Sequence, residues 1–435
     1  MNARCTKFID EVLKHIKYKK IHKSISQELE DHIECIKDDY MQPGMSEDEA
    51  YEKAIVQMGQ AESVGEELNR THKIKMEWSI IIPIIAILGI NLITLFSVSE
   101  LAGGRFEANL RWIVLGVIGF TVAYRFNYRK YEKYCIIGYI LGLSILILLV
   151  KIGKGPNGSI KWIEIGQFPI EGVTIAFIMI MISYAGLVRL LECSDIKQCI
   201  KLGIVAIVPV CILSRCNIVQ ALMLGTCLLV MLTSHIMGSG FKGNRKHIFG
   251  FIYGGIGVRG SIFIFLIKRS DMHMERLRGF LNPELNPMDG FLYTYNATIR
   301  ESANLIGGTN LDINPVKNII DSGGDGILLF IISVMGWIAG ILLIGIIVFM
   351  IIRMFISSSK VHDTYGRLLT ISICTIFAIR FVVHIGMNLG YLPLVSMQLP
   401  FLSMYGSAKL YDSILLGIYL SVYKRKDVVL YETLV

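Results

Sequence analysis

From Trp78 to Tyr423 the chain reads as a string of apolar runs with short polar breaks, each a candidate membrane-crossing helix. The hydrocarbon core of a bilayer takes roughly 20 apolar residues in helical form. Length and polar breaks together predict about ten spans, near 78–98, 108–125, 135–152, 170–190, 200–214, 217–238, 248–267, 326–354, 366–390 and 405–423. One long polar segment, Lys268 to Gly324, interrupts them between the seventh and eighth spans. Directly behind it stands Asp325, followed by the apolar run Gly326 to Met354. An acid is thus set where a large loop meets the membrane, and a carboxylate so close to hydrocarbon is costly unless it is capped, paired or used.

Residues 1–75 follow a different pattern. Phe8, Val12 and Ile16 recur at helical spacing, as do Ile25, Leu29, Ile33 and Ile36. Ser46 followed by Glu49 makes a capping box that opens a third helix through Ala54, Ile55 and Met58. The expected domains are a small cytoplasmic three-helix unit at 1–75, a transmembrane unit at 76–426 and a cytoplasmic tail at 427–435. No apolar stretch follows Met1, so the first span at Trp78 is expected to act as the targeting signal. His32 has no second histidine or cysteine pair at ligand spacing and reads as a helix-surface or packing residue.

Composition agrees with the pattern. With 53% hydrophobic and 18% charged residues and a mean hydropathy of +0.55, the fold class is an all-α polytopic membrane protein. The net charge of +8 resides largely in short loops, which favours topology signals and lipid headgroup contacts over nucleic-acid binding. Cationic clusters at Arg125/Arg129/Lys130/Lys133, Arg189/Lys197/Lys201, Lys242/Arg245/Lys246, Arg353/Lys360/Arg367 and Lys424/Arg425/Lys426 fall after every second span. They put both termini in the cytoplasm and the segment from Lys268 to Gly324 outside. The nine cysteines have no paired metal spacing and read as reduced apolar fillers.

Four blocks of sequence carry a family likeness. Gly386-Met387-Asn388-Leu389-Gly390-Tyr391-Leu392-Pro393, then Leu399-Pro400-Phe401-Leu402-Ser403 and Gly406-Ser407, resemble the signature of the SEDS family, the FtsW/RodA/SpoVE group of shape, elongation, division and sporulation proteins. Asn157-Gly158 with Lys161-Trp162-Ile163, Gly166 and Phe168 resembles its first outer-loop motif. Arg276, Phe280-Leu281-Asn282-Pro283, Asn286-Pro287 and Gly290 resemble the start of its long outer loop. Asp325, with Gly336 eleven residues on, resembles the aspartate opening the following helix. The likeness covers roughly residues 78–426 in the family's order, and residues 1–75 resemble the small prefix domain found ahead of various Gram-positive permeases.

The resemblance implies a peptidoglycan glycosyltransferase that joins lipid II units at the outer face of the cytoplasmic membrane, in division, elongation or sporulation. It also implies a class B penicillin-binding protein as partner and Asp325 as the essential aspartate. Such a base takes the proton of a sugar 4-hydroxyl as that oxygen attacks an anomeric carbon and undecaprenyl pyrophosphate leaves. A carboxylate partly out of water has a raised proton affinity, which suits the task. Lys161, Arg276 and Arg278, or a divalent cation, are candidates for stabilising the leaving pyrophosphate. Trp162, Arg380, His384, Ser403 and Ser407 complete the candidate substrate-binding set.

Each residue also has a structural reading. Asp325 suits a helix N-cap, Lys161 and Arg276 suit lipid headgroups, and Trp162 suits an interfacial anchor. Arg380 and His384 lie four apart on one helical face inside a span, where an arginine needs a partner, Asp325 among the candidates.

The chain also departs from the family pattern. Gly323-Gly324-Asp325 stands for His-Thr-Asp, Ser333-Val334 for a glutamate pair, and Cys216-Asn217-Ile218-Val219-Gln220 for Pro-Asp-x-Gly-Thr. Glu171-Gly172-Val173-Thr174 and Phe177 replace Gln-Pro-Ser-Glu and a lysine, which removes an acid and a base together. Three readings therefore stay open: a divergent lipid II polymerase, a non-catalytic scaffold regulated through an unknown partner of residues 1–75, and a transporter of lipid-linked precursor. The transporter would need polar residues along a path, and apart from Arg380, His384 and a few hydroxyls the spans are read as offering few.

Overall fold

The structure, a computed structural model, describes residues 3–17, 22–41, 45–71, 76–97, 105–154, 163–165, 168–191, 196–238, 271–308 except 286, 326–402 except 396, and 406–426, with isolated positions between. It divides into two compact units, one built mainly from residues 1–76 and the other from Glu77 onward.

The smaller unit is a helical bundle of α1 (Ala3–Lys14), α2 (His22–Tyr40), α3 (Glu47–Met58) and α4 (Ala61–Thr71). Its core is the predicted set: Phe8, Val12, Ile16, Ile25, Leu29, Ile33, Ile36 and Ala54 are all buried together. The capping box at α3 forms, with Ser46 Oγ accepting from Glu49 N at 3.4 Å and Ser46 N donating to Glu49 Oε2 at 3.2 Å. The fourth helix was not expected, because it offers the core only Ala61, Val64 and Leu68. Close approach replaces apolar bulk there: a Cβ on Gly65 would lie 2.7 Å from the Val12 carbonyl oxygen. Asn69 Oδ1 also accepts the Lys17 amide at 3.0 Å, which ties α4 to the end of α1.

The larger unit contains α5 (Trp78–Ser97), α6 (Arg105–Arg125), α7 (Cys135–Ile152), α8 (Gly172–Leu190), α9 (Ile196–Cys216), α10 (Ile218–Met237), α11 (Asp271–Leu281), α12 (Pro287–Ser302), α13 (Ile327–Met335), α14 (Trp337–Ser358), α15 (Thr364–Asn388) and α16 (Gly406–Lys424). Six of them, α7 to α10, α14 and α15, are long and apolar enough to cross a membrane. The predicted span at 248–267 lies largely outside the described residues. A hairpin of β1 (Ile163–Ile165) and β2 (Phe168–Ile170), with Ile163 opposite Ile170, adds the one pair of strands among the described residues.

Within this unit α8 and α15 are central, each 61% buried, while α7 is 22% buried and presents Ile136, Ile137 and Ile140 outward. Gly138 and Gly142 let α7 approach α8 closely, since a Cβ on them would meet Ser183 Oγ at 2.5 Å and Ile180 Cγ1 at 2.7 Å. Ion pairs hold helix ends: Arg353 of α14 to Glu77 at 2.6 Å, and Arg189 of α8 to Glu132 at 2.8 Å. Cys199 is disulfide-bonded and Cys35 and Cys211 are exposed, so the cysteines are not uniformly reduced fillers.

The run read as one span at 326–354 is broken. Gly336 has φ 91° and separates α13 from α14. The segment around Asn304 and Leu305 inserts at the break, and their carbonyls accept the Trp337 and Ile338 amides at 3.0 Å each. Any Cβ at position 336 would lie 2.7 Å from the Leu305 carbonyl oxygen. The helix can interrupt at this depth because protein backbone, not lipid, meets the freed groups.

Candidate functional site

The family-like signature after α15 is a length of non-helical backbone inside the protein. Such backbone survives only where its polar groups find partners. Leu402 O accepts from Asn91 Nδ2 at 2.8 Å, and Asn91 Oδ1 in turn accepts from Asn109 Nδ2 at 2.8 Å. Phe401, held at φ 65°, donates its amide to Asp412 Oδ2 at 3.1 Å. Gln398 O accepts from Arg380 Nε at 3.3 Å, Met397 O from His384 Nδ1 at 2.8 Å, and Leu394 N donates to Tyr293 Oη at 2.9 Å. Five side chains from four helices therefore hold this segment, with Asn109 of α6 behind Asn91.

At the centre is an ion pair. Arg380 of α15 bonds the Asp412 carboxylate of α16, and their side chains are 12% and 0% exposed. Asp325 was a candidate partner for Arg380; among the described residues the partner is Asp412. Asp412 and Lys409 went unweighed in the sequence, although charges three apart inside a predicted span are a functional signal by themselves. Lys409 is 3% exposed and its Nζ makes no hydrogen bond among the described residues.

Arg380 and Asp412 line a cavity of 90 Å³, together with Glu171, Thr174, Phe177 and Gln220. Glu171 Oε1 accepts from Thr174 Oγ1 and Oε2 from Ser407 Oγ, both at 2.9 Å. Thr174 and Phe177 are the positions where the family pattern has glutamate and lysine. The charges missing there return to the same cavity from elsewhere: the acid from Glu171, one turn earlier on the chain, and the base from Arg380 on α15. At this size the cavity has room for a few waters.

Other expected site residues lie apart. His384 is fully buried, anchors Met397, and does not line the cavity. Arg276 and Arg278 stand on α11, half-buried and exposed, also away from it. Asp325, Lys161, Trp162 and Ser403 lie outside the described residues. The helix behind Asp325 is described, and its N-cap position is Gly326, which has no side chain to cap with. The Leu329 amide, in the first turn of α13, donates to Asn388 Oδ1 of α15 at 3.3 Å. Among the described residues no group of three His, Cys, Asp or Glu side chains is placed to hold a metal ion.

Residues 73–427 match the profile of the FtsW/RodA/SpoVE cell cycle proteins. The chain belongs to that family. Among curated relatives, "Probable peptidoglycan glycosyltransferase FtsW" of Trichlorobacter lovleyi is 25% identical over 79% of this chain and 92% of its own length. The protein of the same name from Coxiella burnetii is 23% identical over 80% of this chain and 98% of its own. Among solved structures, a chain of a peptidoglycan synthase complex that coordinates polymerization and crosslinking superposes with a TM-score of 0.65 at 17% identity, covering 81% of this chain and 98% of that one. The rod shape determining protein RodA of Thermus thermophilus gives 0.57 at 16% identity over the same shares. The protein is therefore an all-helical membrane protein of the FtsW/RodA/SpoVE fold, with the β1–β2 hairpin as an addition.

Proposed function

We propose that the chain is a peptidoglycan glycosyltransferase that polymerises lipid II at the outer face of the cytoplasmic membrane, with Asp325 as its base. The acceptor 4-hydroxyl oxygen bonds the anomeric carbon of the lipid-linked sugar as the bond to undecaprenyl pyrophosphate breaks. The pyrophosphate leaves with the electron pair and the hydroxyl proton passes to Asp325. The observation that supports this most is that Asn388, from the family-like signature, bonds the Leu329 amide in the first turn of α13 and so ties the helix behind Asp325 to that signature. A carboxylate set directly before an apolar helix is costly unless it has a task, and the proton transfer gives it one.

The cation rule supports cytoplasmic termini and an outer position for residues 268–324, and the likeness to a chain of a peptidoglycan synthase complex supports a class B penicillin-binding protein as partner. Purified protein given lipid II, alone and with such a transpeptidase, is expected to form glycan polymer in at least one of the two conditions.

One observation favours the scaffold reading. Ser333, where relatives have an acid, turns its hydroxyl back onto the Phe330 carbonyl of its own helix at 2.8 Å and offers nothing to a substrate. Absence of polymer in both conditions, with binding to the transpeptidase retained, moves the account to that reading.

A further inference from the structure

The N-terminal bundle is electrically divided along its chain. Residues 3–23 carry seven lysines and arginines against two acids, whereas residues 25–71 carry thirteen acids against three lysines and arginines. A sign asymmetry of that size within one small unit sets up a field that can steer a charged partner.

Contacts place the two kinds of charge at opposite ends. Lys14, Lys17, Lys19 and Lys23 are exposed where α1 gives way to α2, and none of the four is in an ion pair among the described residues. The start of α2 is held there by His22, whose Nε2 lies 2.9 Å from the Ile16 carbonyl oxygen. From that point α2 runs for 19 residues, about 28 Å. The start of α3 packs on its far part, with Lys37 Nζ 5.3 Å from the centre of the Tyr51 ring. Asp38, Asp39, Glu47, Asp48 and Glu49 therefore gather at the far end.

The chain leaves the bundle at the basic end. Asn69, near the end of α4, takes the Lys17 amide on Oδ1 at 3.0 Å, and Gly65 one turn earlier approaches Val12 and His15. Residues 72–77 alone separate α4 from α5, at most about 20 Å of chain, and they include Lys73 and Lys75. Trp78, 56% exposed at the start of α5, suits the interface where a span begins. The lysine end is thus the part of the bundle tethered nearest the bilayer.

The groove beside these lysines says what kind of anion fits. Lys7, Lys14, Lys19 and His22 line it, but so do Asp10 and Glu11. Mixed signs on an open wall do not hold a single phosphate tightly. Exposed lysines on an open surface suit many weakly held charges, as in anionic headgroups, where each lysine strengthens attachment about fivefold. The short tether keeps the local concentration of that surface high, an advantage no soluble anion shares.

We propose that residues 14–23 dock the bundle on anionic lipid headgroups of the leaflet from which α5 starts, with the acidic end turned away. With cytoplasmic termini this is the cytoplasmic leaflet, whose surface is negative. The attachment is electrostatic and weakens with salt. It goes beyond the polymerase reading and does not depend on it.

The test is amide hydrogen exchange of residues 14–23 in the full-length protein, held in nanodiscs of phosphatidylcholine alone or with phosphatidylglycerol added. Exchange is expected to slow about tenfold in the anionic discs and to recover at about 0.5 M salt. Lys14→Gln, Lys17→Gln and Lys19→Gln together should abolish the difference between discs, with exchange in residues 25–36 unchanged to show that the bundle stays folded. Lys17→Gln alone is expected to weaken the protection about fivefold, and Lys53→Gln, beside Tyr40 on the far part of the bundle, to leave it intact. Equal exchange in the two kinds of disc overturns the proposal, whether fast in both or slow in both, the latter giving the face to a protein contact. An equal effect of Lys17→Gln and Lys53→Gln overturns it as well.

Discussion

The segment from Gly386 to Leu402 and the helix start behind Asp325 lie in one membrane domain and carry opposite polar chemistry. In the first, Asn91, Arg380, His384, Tyr293 and Asp412 bind the backbone of an irregular stretch, and a charged pair is buried at its centre. In the second, the positions that flank the aspartate in relatives have become Gly323, Gly324, Ser333 and Val334, and the described hydroxyl among them bonds its own helix. The network that holds the irregular stretch is complete, whereas the polar groups that the family pattern sets around the proposed base are replaced. The lesson is that family fold and family chemistry are separable in one chain, because a buried network is destabilising to lose in part while an active-site neighbour is not.

If the first region is a scaffold, breaking its ion pair should give the largest loss of stability. Asp412→Ala strands the Arg380 guanidinium and the Phe401 amide, and is expected to cost about 3–5 kcal/mol, read as a fall in thermal stability of the detergent-purified protein. Replacing both partners, Arg380→Met with Asp412→Leu, should cost less than Asp412→Ala alone; a cost equal to the sum of the singles would mean the two are not coupled. A smaller effect is expected at the periphery of the same network. Asn91→Leu leaves the Leu402 carbonyl and the Asn109 amide without their partner, at about 1–3 kcal/mol. The smallest lies in the N-terminal bundle: Ser46→Ala removes the α3 cap at about 0.5–2 kcal/mol, visible as faster amide exchange in residues 47–58 with no change in the membrane domain.

Much of this was legible along the chain, for physical reasons. The core of the N-terminal bundle follows from helical spacing, the capping box from two residues, and the described spans from apolar length. What escaped depends on contacts distant in sequence. α4 is held by close approach at Gly65 rather than by an apolar stripe, and the break at Gly336 is satisfied by carbonyls of residues 304 and 305. The choice of Asp412 by Arg380 is made by the packing of α15 on α16. Glu171 looked like one half of a lost motif because its return to the cavity needs the fold to be seen.

The proposal that Asp325 is the catalytic carboxylate of the membrane domain is tested most directly by one comparison. Glycan polymer formed from lipid II is measured for wild-type protein and for Asp325→Asn, with thermal stability recorded on the same samples. Asparagine keeps the size of aspartate but cannot take up the sugar proton, so polymer formation is predicted to fall by roughly 10²- to 10⁴-fold with stability unchanged. Equal polymer from both proteins would contradict the account and leave Asp325 without a role in the chemistry.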